Sequence, residues 1–143
     1  MVLGALLNSI KQHEGFVPYA YQDSRGYWTI GYGTLIDKRG GGITEEEGQY
    51  LLNNQLNAKL EELDTEIPWW RLLDDPRQNV IAEMAYQMGV EGLLGFQKML
   101  MYLKAKQYEN AAAEGLDSEW ARTQSPARAK ELMQIMATGK LPQ

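Results

Sequence analysis

Residues 13–33 read HEGFVPYAYQDSRGYWTIGYG and mark the place where the chain changes from helix to sheet. The apolar residues before this stretch recur every three or four positions: Leu3, Leu6, Leu7 and Ile10. That spacing predicts an amphipathic helix over residues 2–13, with Glu14 at the end of its apolar face. Residues 18–36 are rich in Tyr, Trp, Thr and Ile and are punctuated by glycines, which indicates a small antiparallel sheet.

Two carboxylic acids and a hydroxyl lie within this stretch in the order Glu14, eight residues, Asp23, five residues, Thr29. Glu14 is predicted to lie on the buried side of its helix, where desolvation favours the neutral acid, whereas the polar turn around Asp23 favours a charged carboxylate. A pair of this kind suits glycoside hydrolysis, in which one group protonates the leaving oxygen and the other acts on water or the sugar cation. Thr29 could orient that water. Taken singly, the three residues also fit a helix end, a turn and a strand.

The rest of the chain predicts helices. Thr44 and Glu47 form a capping-box pattern that begins a long helix, and Pro68 ends it. Gly89 is predicted to end a helix that begins at Asp75. Its inward residues are predicted to be Val80, Ile81, Met84, Ala85 and Met88. Further helices are predicted over about 95–103, 108–114 and 125–137, with Gly139 closing the last.

Composition excludes several classes of protein. With 143 residues, the chain is predicted to form one domain. A net charge of −5 argues against nucleic-acid binding. No apolar run approaches the roughly 20 residues of a membrane span, and no export signal is recognisable, so we expect no membrane insertion. One histidine and no cysteine predict no metal site, and we expect no cofactor.

The spacing of Glu14, Asp23 and Thr29, together with the glycines and the TIGYG strand around them, resembles the phage-type lysozymes, glycoside hydrolase family 24. The similarity resumes at Gln87-Met88-Gly89, at residues 92–96 and at residues 120–129. One departure is Thr34, which stands where the family often has a histidine. Any substrate contact that the family makes through this histidine would be lost or replaced here.

The resemblance implies an α+β, lysozyme-like fold that is mostly helical, with a small N-terminal sheet lobe, a larger helical lobe and a cleft between them. Residues 1–143 would form a single catalytic domain. Its sheet lobe would comprise roughly residues 13–60, and its helical lobe residues 1–12 plus 61–143.

The resemblance also implies roles for particular residues. Glu14, Asp23 and Thr29 would be catalytic. Arg128 would pair with Glu14 and support it. The implied substrate-binding residues are Tyr32, Gly33, Leu35, Gln87 and Phe96. Trp120 is expected to pack within the helical lobe.

As a function, the resemblance implies an N-acetylmuramidase that cuts bacterial peptidoglycan and lyses the host cell. We expect a monomeric endolysin that stays in the host cytoplasm until a separate holin-type protein releases it to the wall in the periplasm. Two alternatives remain. A lytic transglycosylase works with one Glu, and the presence of Asp23 and Thr29 argues against it. A non-catalytic wall-binding or virion structural domain would not need the intact signature.

Overall fold

A computed structural model describes residues 1–142 of the chain. The elements, in chain order, are α1 (Leu3–Glu14), β1 (Val17–Gln22), β2 (Trp28–Gly31), β3 (Thr34–Leu35), α2 (Glu45–Glu66), a 3-10 helix (Pro68–Leu72), α3 (Asp75–Leu94), α4 (Gln97–Lys104), α5 (Tyr108–Leu116), a π-helix (Trp120–Gln124) and α6 (Pro126–Thr138). Most of the chain is helical and the sheet is small, which confirms the predicted α+β, lysozyme-like class. None of the described helices has both the length and the apolar character needed to cross a membrane.

The chain divides into two compact units, an N-terminal unit (Met1–Tyr50) and a C-terminal unit (Leu51–Gln143). The N-terminal unit holds α1 together with the sheet, whereas the resemblance assigned residues 1–12 to the helical lobe. The single catalytic domain with those lobes and a cleft therefore stays a prediction.

Helix α1 has the predicted bounds to within a residue, but its predicted burial is wrong. Its apolar residues are 42–56% exposed: Leu3, Leu6, Leu7 and Ile10. Glu14 is exposed as well, so it does not lie on a buried face. Helical spacing shows which side chains share a face, whereas burial requires another element to cover that face.

The three strands form one antiparallel sheet in the order β1-β2-β3. In the middle strand, Thr29 lies opposite Tyr21 on one side and Leu35 on the other. Pairing between β1 and β2 is irregular between Val17 and Tyr21, where Pro18 supplies no N–H for the ladder. The middle strand thus brings Thr29 into the interior of the sheet.

Helix α2 begins with the predicted capping box. The Thr44 N–H donates to Glu47 Oε1 at 2.9 Å, and the Glu47 N–H donates to Thr44 Oγ1 at 3.1 Å. These bonds with Thr44 lower the pKa of Glu47 from its usual value. Along the helix, Leu63 is fully buried, whereas Leu52 near the start is exposed.

The core of the C-terminal unit is built from α3 to α6 and the end of α2. Of the predicted inward residues, Val80, Ile81, Met84 and Ala85 are fully buried, and Met88 is partly buried against the same core. Gly89 was predicted to end the helix, but it only interrupts α3 with φ 79°, and the helix continues to Leu94. Gly139 ends α6, as predicted, and does so in the left-handed conformation. Glycine adopts such angles without the steric cost that other residues have.

Candidate functional site

Glu14 is the last residue of α1, and its side chain lies against Gly33. A Cβ atom built on Gly33 would stand 2.5 Å from Glu14 Oε2 and 2.8 Å from Glu14 Cδ. Gly33 also has φ 76°, in the region that favours glycine. The structure therefore brings together the predicted acid and a residue that was predicted to bind substrate.

Asp23 opens the turn between β1 and β2. Its Oδ1 accepts hydrogen bonds from the N–H groups of Arg25 and Tyr27, each at 2.9 Å. The Gly26 N–H donates to the Asp23 carbonyl at 2.9 Å, and Gly26 has φ 80°. Within residues 1–142 no donor is bonded to Oδ2. One carboxylate oxygen is thus fixed by the backbone, and the second is available to another group.

Thr29 follows the turn on β2 and is only 4% exposed. Its hydroxyl donates to the carbonyl of Tyr27 at 3.0 Å. Because the hydroxyl proton is used in this bond, the lone pairs of Oγ1 remain to accept a hydrogen bond from a further group. Asp23 and Thr29 are therefore both bonded to the backbone of the same residue, Tyr27.

The other predicted residues of the N-terminal unit lie on or next to β3. Tyr32 is exposed; its ring centroid lies 5.4 Å from that of Phe16, and the Lys11 ammonium lies 5.5 Å from it. Leu35 is half-buried and pairs with Thr29 in the sheet. The substrate contacts of Tyr32, Gly33 and Leu35 stay predictions.

Gln87 and Phe96 lie in the C-terminal unit, and both contact Trp120. The Trp120 indole N–H donates to Gln87 Oε1 at 3.0 Å, and Gln87 Nε2 donates to Ser125 Oγ at 2.7 Å. Phe96 meets Trp120 edge-on with centroids 5.8 Å apart. Trp120 is buried in this unit, as predicted. Phe96 and Trp120 also line a pocket of about 630 Å³.

Arg128, on α6, bonds to Glu83 on α3. Its Nε donates to Glu83 Oε2 at 2.7 Å, and both side chains are partly exposed. The sequence offered no sign that Glu83 would be this partner. The predicted pairing of Arg128 with Glu14 stays a prediction, as does the role of Gln87 and Phe96 in binding substrate.

The sequence did not indicate three residues that are linked to Asp23 in a chain of contacts: Tyr27, which bonds to Asp23, then Arg39 and Asp37. The Arg39 guanidinium lies over the Tyr27 ring, with Cζ 3.5 Å from the ring centroid. Asp37 binds the side chain of Arg39. The Asp-x-Arg order at 37–39 was a usable signal for a local turn, but it did not indicate which ring the arginine would cover.

Comparison with known proteins gives one family. The profile of the phage lysozyme family matches residues 11–134. Probable T4-type lysozymes 1 and 2 of Dictyostelium discoideum are 26% and 28% identical to the chain, and each alignment covers 98% of the chain and 98% of the relative. The three predicted catalytic residues lie within the matched range.

A further relative is the pre-baseplate central spike protein Gp5 of Enterobacteria phage T4. It is 29% identical over 96% of the chain, but the chain spans only 28% of the length of that protein.

Proposed function

We propose, since this chain belongs to the phage lysozyme family, that it hydrolyses the β-1,4 bond between N-acetylmuramic acid and N-acetylglucosamine in bacterial peptidoglycan. Membership of the family supports a muramidase-like, lytic function. One observation carries the finer proposal. Asp23 and Thr29 are both bonded to the backbone of Tyr27, with one carboxylate oxygen of Asp23 and the lone pairs of the Thr29 hydroxyl left for a further group.

A water molecule fits the hydrogen-bonding needs of that pair. It can donate one hydrogen to Asp23 Oδ2 and the other to Thr29 Oγ1, because the Thr29 proton is already given to Tyr27. Both hydrogens are then held, and a lone pair of the water oxygen is free to attack the sugar. Asp23 takes the proton as the bond from water to the anomeric carbon forms.

Glu14 would act on the other side of the same bond. It gives its proton to the glycosidic oxygen as the bond between that oxygen and the anomeric carbon breaks. The product then has the inverted configuration. Inverting enzymes hold their two carboxyl groups about 6.5–9.5 Å apart, which leaves room for the water, whereas retaining enzymes hold them about 5–5.5 Å apart. Exposure of Glu14 on its helix end leaves its carboxyl accessible to a substrate.

The proposed setting is that of an endolysin, which a separate holin-type protein would release to the wall. The similarity to a central spike protein of phage T4 favours a second setting, in which this chain acts as a lysozyme domain carried by a virus particle. Mass spectrometry of purified particles separates the two settings, because a virion-borne chain would be present in particles after host debris has been removed.

The enzymatic proposal is tested by digesting purified peptidoglycan and weighing the products. Hydrolysis gives hydrated reducing ends, a lytic transglycosylase gives anhydro ends, and a structural domain gives no cleavage. Glu14→Gln should lower the rate by about 10²–10⁴, the usual contribution of general acid catalysis. Glu131→Gln is a matched control, because Glu131 is an exposed residue of α6 in the other unit. Equal rates for the two folded variants would overturn the assignment of Glu14.

A further inference from the structure

The backbone of Tyr27 contacts two of the three proposed catalytic residues. Its N–H donates to Asp23 Oδ1 at 2.9 Å. Its carbonyl accepts the Asp23 N–H at 2.9 Å and the Thr29 hydroxyl at 3.0 Å. A displacement of this one residue would therefore move the carboxylate and the hydroxyl together.

The side chain of Tyr27 is held by arginine. The Arg39 Cζ lies 3.5 Å from the ring centroid, and the Arg25 Cζ lies 5.0 Å from it. A planar guanidinium at the shorter distance stacks on the ring face and is attracted by its quadrupole. Arg39 is thus the closer of the two cations and makes the stronger contact.

Arg39 is itself fixed at the end of the sheet by Asp37. Asp37 Oδ1 accepts the Arg39 N–H at 2.9 Å, and Oδ2 accepts Nε at 2.9 Å and also contacts Nη2. The Arg39 side chain lowers the pKa of the Asp37 carboxyl from its usual value, so the carboxylate stays charged near neutral pH. Ile36, the residue before Asp37, donates its N–H to the carbonyl of Trp28 on β2 at 2.9 Å.

We propose that the Tyr27–Arg39 pair is a positioning element for the reaction, in which the ring contact with Arg39 fixes the Tyr27 backbone and, through it, the Asp23 carboxylate and the Thr29 hydroxyl. The proposal rests on the proposed function, because the two groups are positioned for the attacking water. Neither Tyr27 nor Arg39 touches the sugar in this scheme.

A contact that only stabilised the fold would, when removed, lower the melting temperature and leave kcat of the folded protein unchanged. The Arg39 side chain is half exposed, and at exposed sites neither a cation–π contact nor an ion pair contributes more than about 1 kcal/mol to the stability of a fold. Loss of the contact should therefore leave the melting temperature nearly unchanged. It should instead lower kcat, because the water would be held in the wrong geometry, and leave KM largely unaltered.

The kinetic test compares Arg39→Ala with Lys38→Ala, which removes the same charge from the neighbouring exposed residue. Arg39→Ala should lower kcat roughly three- to tenfold with KM within about twofold, while Lys38→Ala stays at the wild-type rate. Arg39→Lys keeps the charge without the planar stack and should fall between them. Tyr27→Phe keeps the ring and should retain more activity than Tyr27→Leu. An Arg39→Ala rate equal to that of Lys38→Ala overturns the proposal.

A second measurement needs no activity. The amide hydrogens of Arg25 and Tyr27 are the donors to Asp23, so their exchange with solvent should become faster in Arg39→Ala and not in Lys38→Ala. Unchanged exchange in Arg39→Ala overturns the positioning proposal even if the enzyme is active. Faster exchange in a chain whose wild type cleaves no peptidoglycan supports the contact with Asp23 and instead overturns the proposed function.

Discussion

The carboxyl group of Glu14 lies directly beside the α-carbon of Gly33, in the space that a side chain at residue 33 would need. A Cβ atom there would come within 2.5 Å of Glu14 Oε2, closer than non-bonded atoms approach each other. The absence of a side chain at Gly33 is therefore a condition for the observed position of the proposed acid. Gly33 is therefore needed for the space it leaves to Glu14 as well as for its backbone angle.

Gly33→Ala should reduce activity at least about tenfold, because the new methyl group displaces Glu14 and a misplaced catalytic group is costly. Gly31→Ala is the matched control: Gly31 has φ 68° and an added Cβ would meet nothing within 4 Å, so it introduces similar backbone strain without touching Glu14. The melting temperatures of the two variants should fall by similar amounts. Equal losses of activity would assign the effect to strain and would contradict the role of Gly33 as space for the acid.

Asp23→Asn should remove activity by about 10²-fold or more while the protein remains folded. The asparagine keeps an oxygen that can accept the N–H groups of Arg25 and Tyr27, but it cannot take a proton from water. Asp23→Ala loses the turn bonds as well and should also melt at a lower temperature. The measurements are initial rates on peptidoglycan and thermal unfolding. An active Asn variant would show that Asp23 is a turn residue only.

Helix boundaries and turns were predictable because their signals are local. The capping box of Thr44 and Glu47 and the end of α6 at Gly139 each depend on a few neighbouring residues, and both form as expected. Gly89 leaves the helical conformation, as its residue type favours, but α3 resumes after it. The order of Glu14, Asp23 and Thr29 was also readable from the chain. Signals of this kind determine the backbone conformation only around the residues that carry them.

Other features depend on contacts that no local pattern specifies. The exposure of the apolar residues on α1 depends on whether another element covers that face of the helix. The partner of Arg128 is one of many glutamates, and Glu83 lies 45 positions away in the sequence. The stacking of Arg39 on Tyr27 joins two different turns, so it depends on the path of the sheet between them. Side-chain pairing across turns therefore required the structure.

Thr29→Val should lower kcat by roughly tenfold or more, because valine keeps the shape of the side chain but offers no oxygen to the water. It also removes the bond to the Tyr27 carbonyl. Thr29→Ser keeps the hydroxyl and should retain most of the rate that Thr29→Val loses. Steady-state kinetics on a soluble glycan would measure both. Equal rates for the two variants would mean that the hydroxyl has no part in the reaction.

Arg128→Ala and Glu83→Gln separate two roles for the arginine. If Arg128 acts only through its observed bond to Glu83, the two variants should have the same pH–activity profile. If Arg128 also supports Glu14, its removal takes away a cation that favours the charged carboxylate, so the alkaline limb should move to higher pH in Arg128→Ala alone. Coincident profiles, recorded on folded protein, would exclude the predicted pairing with Glu14.

Asp64 should make the stability of the protein depend on acidic pH. Its carboxylate accepts hydrogen bonds from Arg71 Nε at 2.8 Å and Trp70 Nε1 at 2.9 Å, and these partners, Arg71 first, lower the pKa of Asp64. Because the folded-state pKa is below the unfolded value of about 3.9, the contribution is fully present above that value and is lost as pH falls through the folded-state pKa.

Asp64→Asn should therefore melt below the wild type at pH 7, and the difference in melting temperature should shrink as the pH is lowered from about 5 towards about 2. The exposed Glu131, replaced by glutamine, controls for the general effect of losing one negative charge and should show no such convergence. Thermal unfolding followed by circular dichroism at several pH values gives both curves. If the difference in melting temperature between Asp64→Asn and the wild type stays constant down to pH about 2, the charge of Asp64 does not stabilise the fold through Arg71. The lower melting temperature of the variant would then come from packing alone.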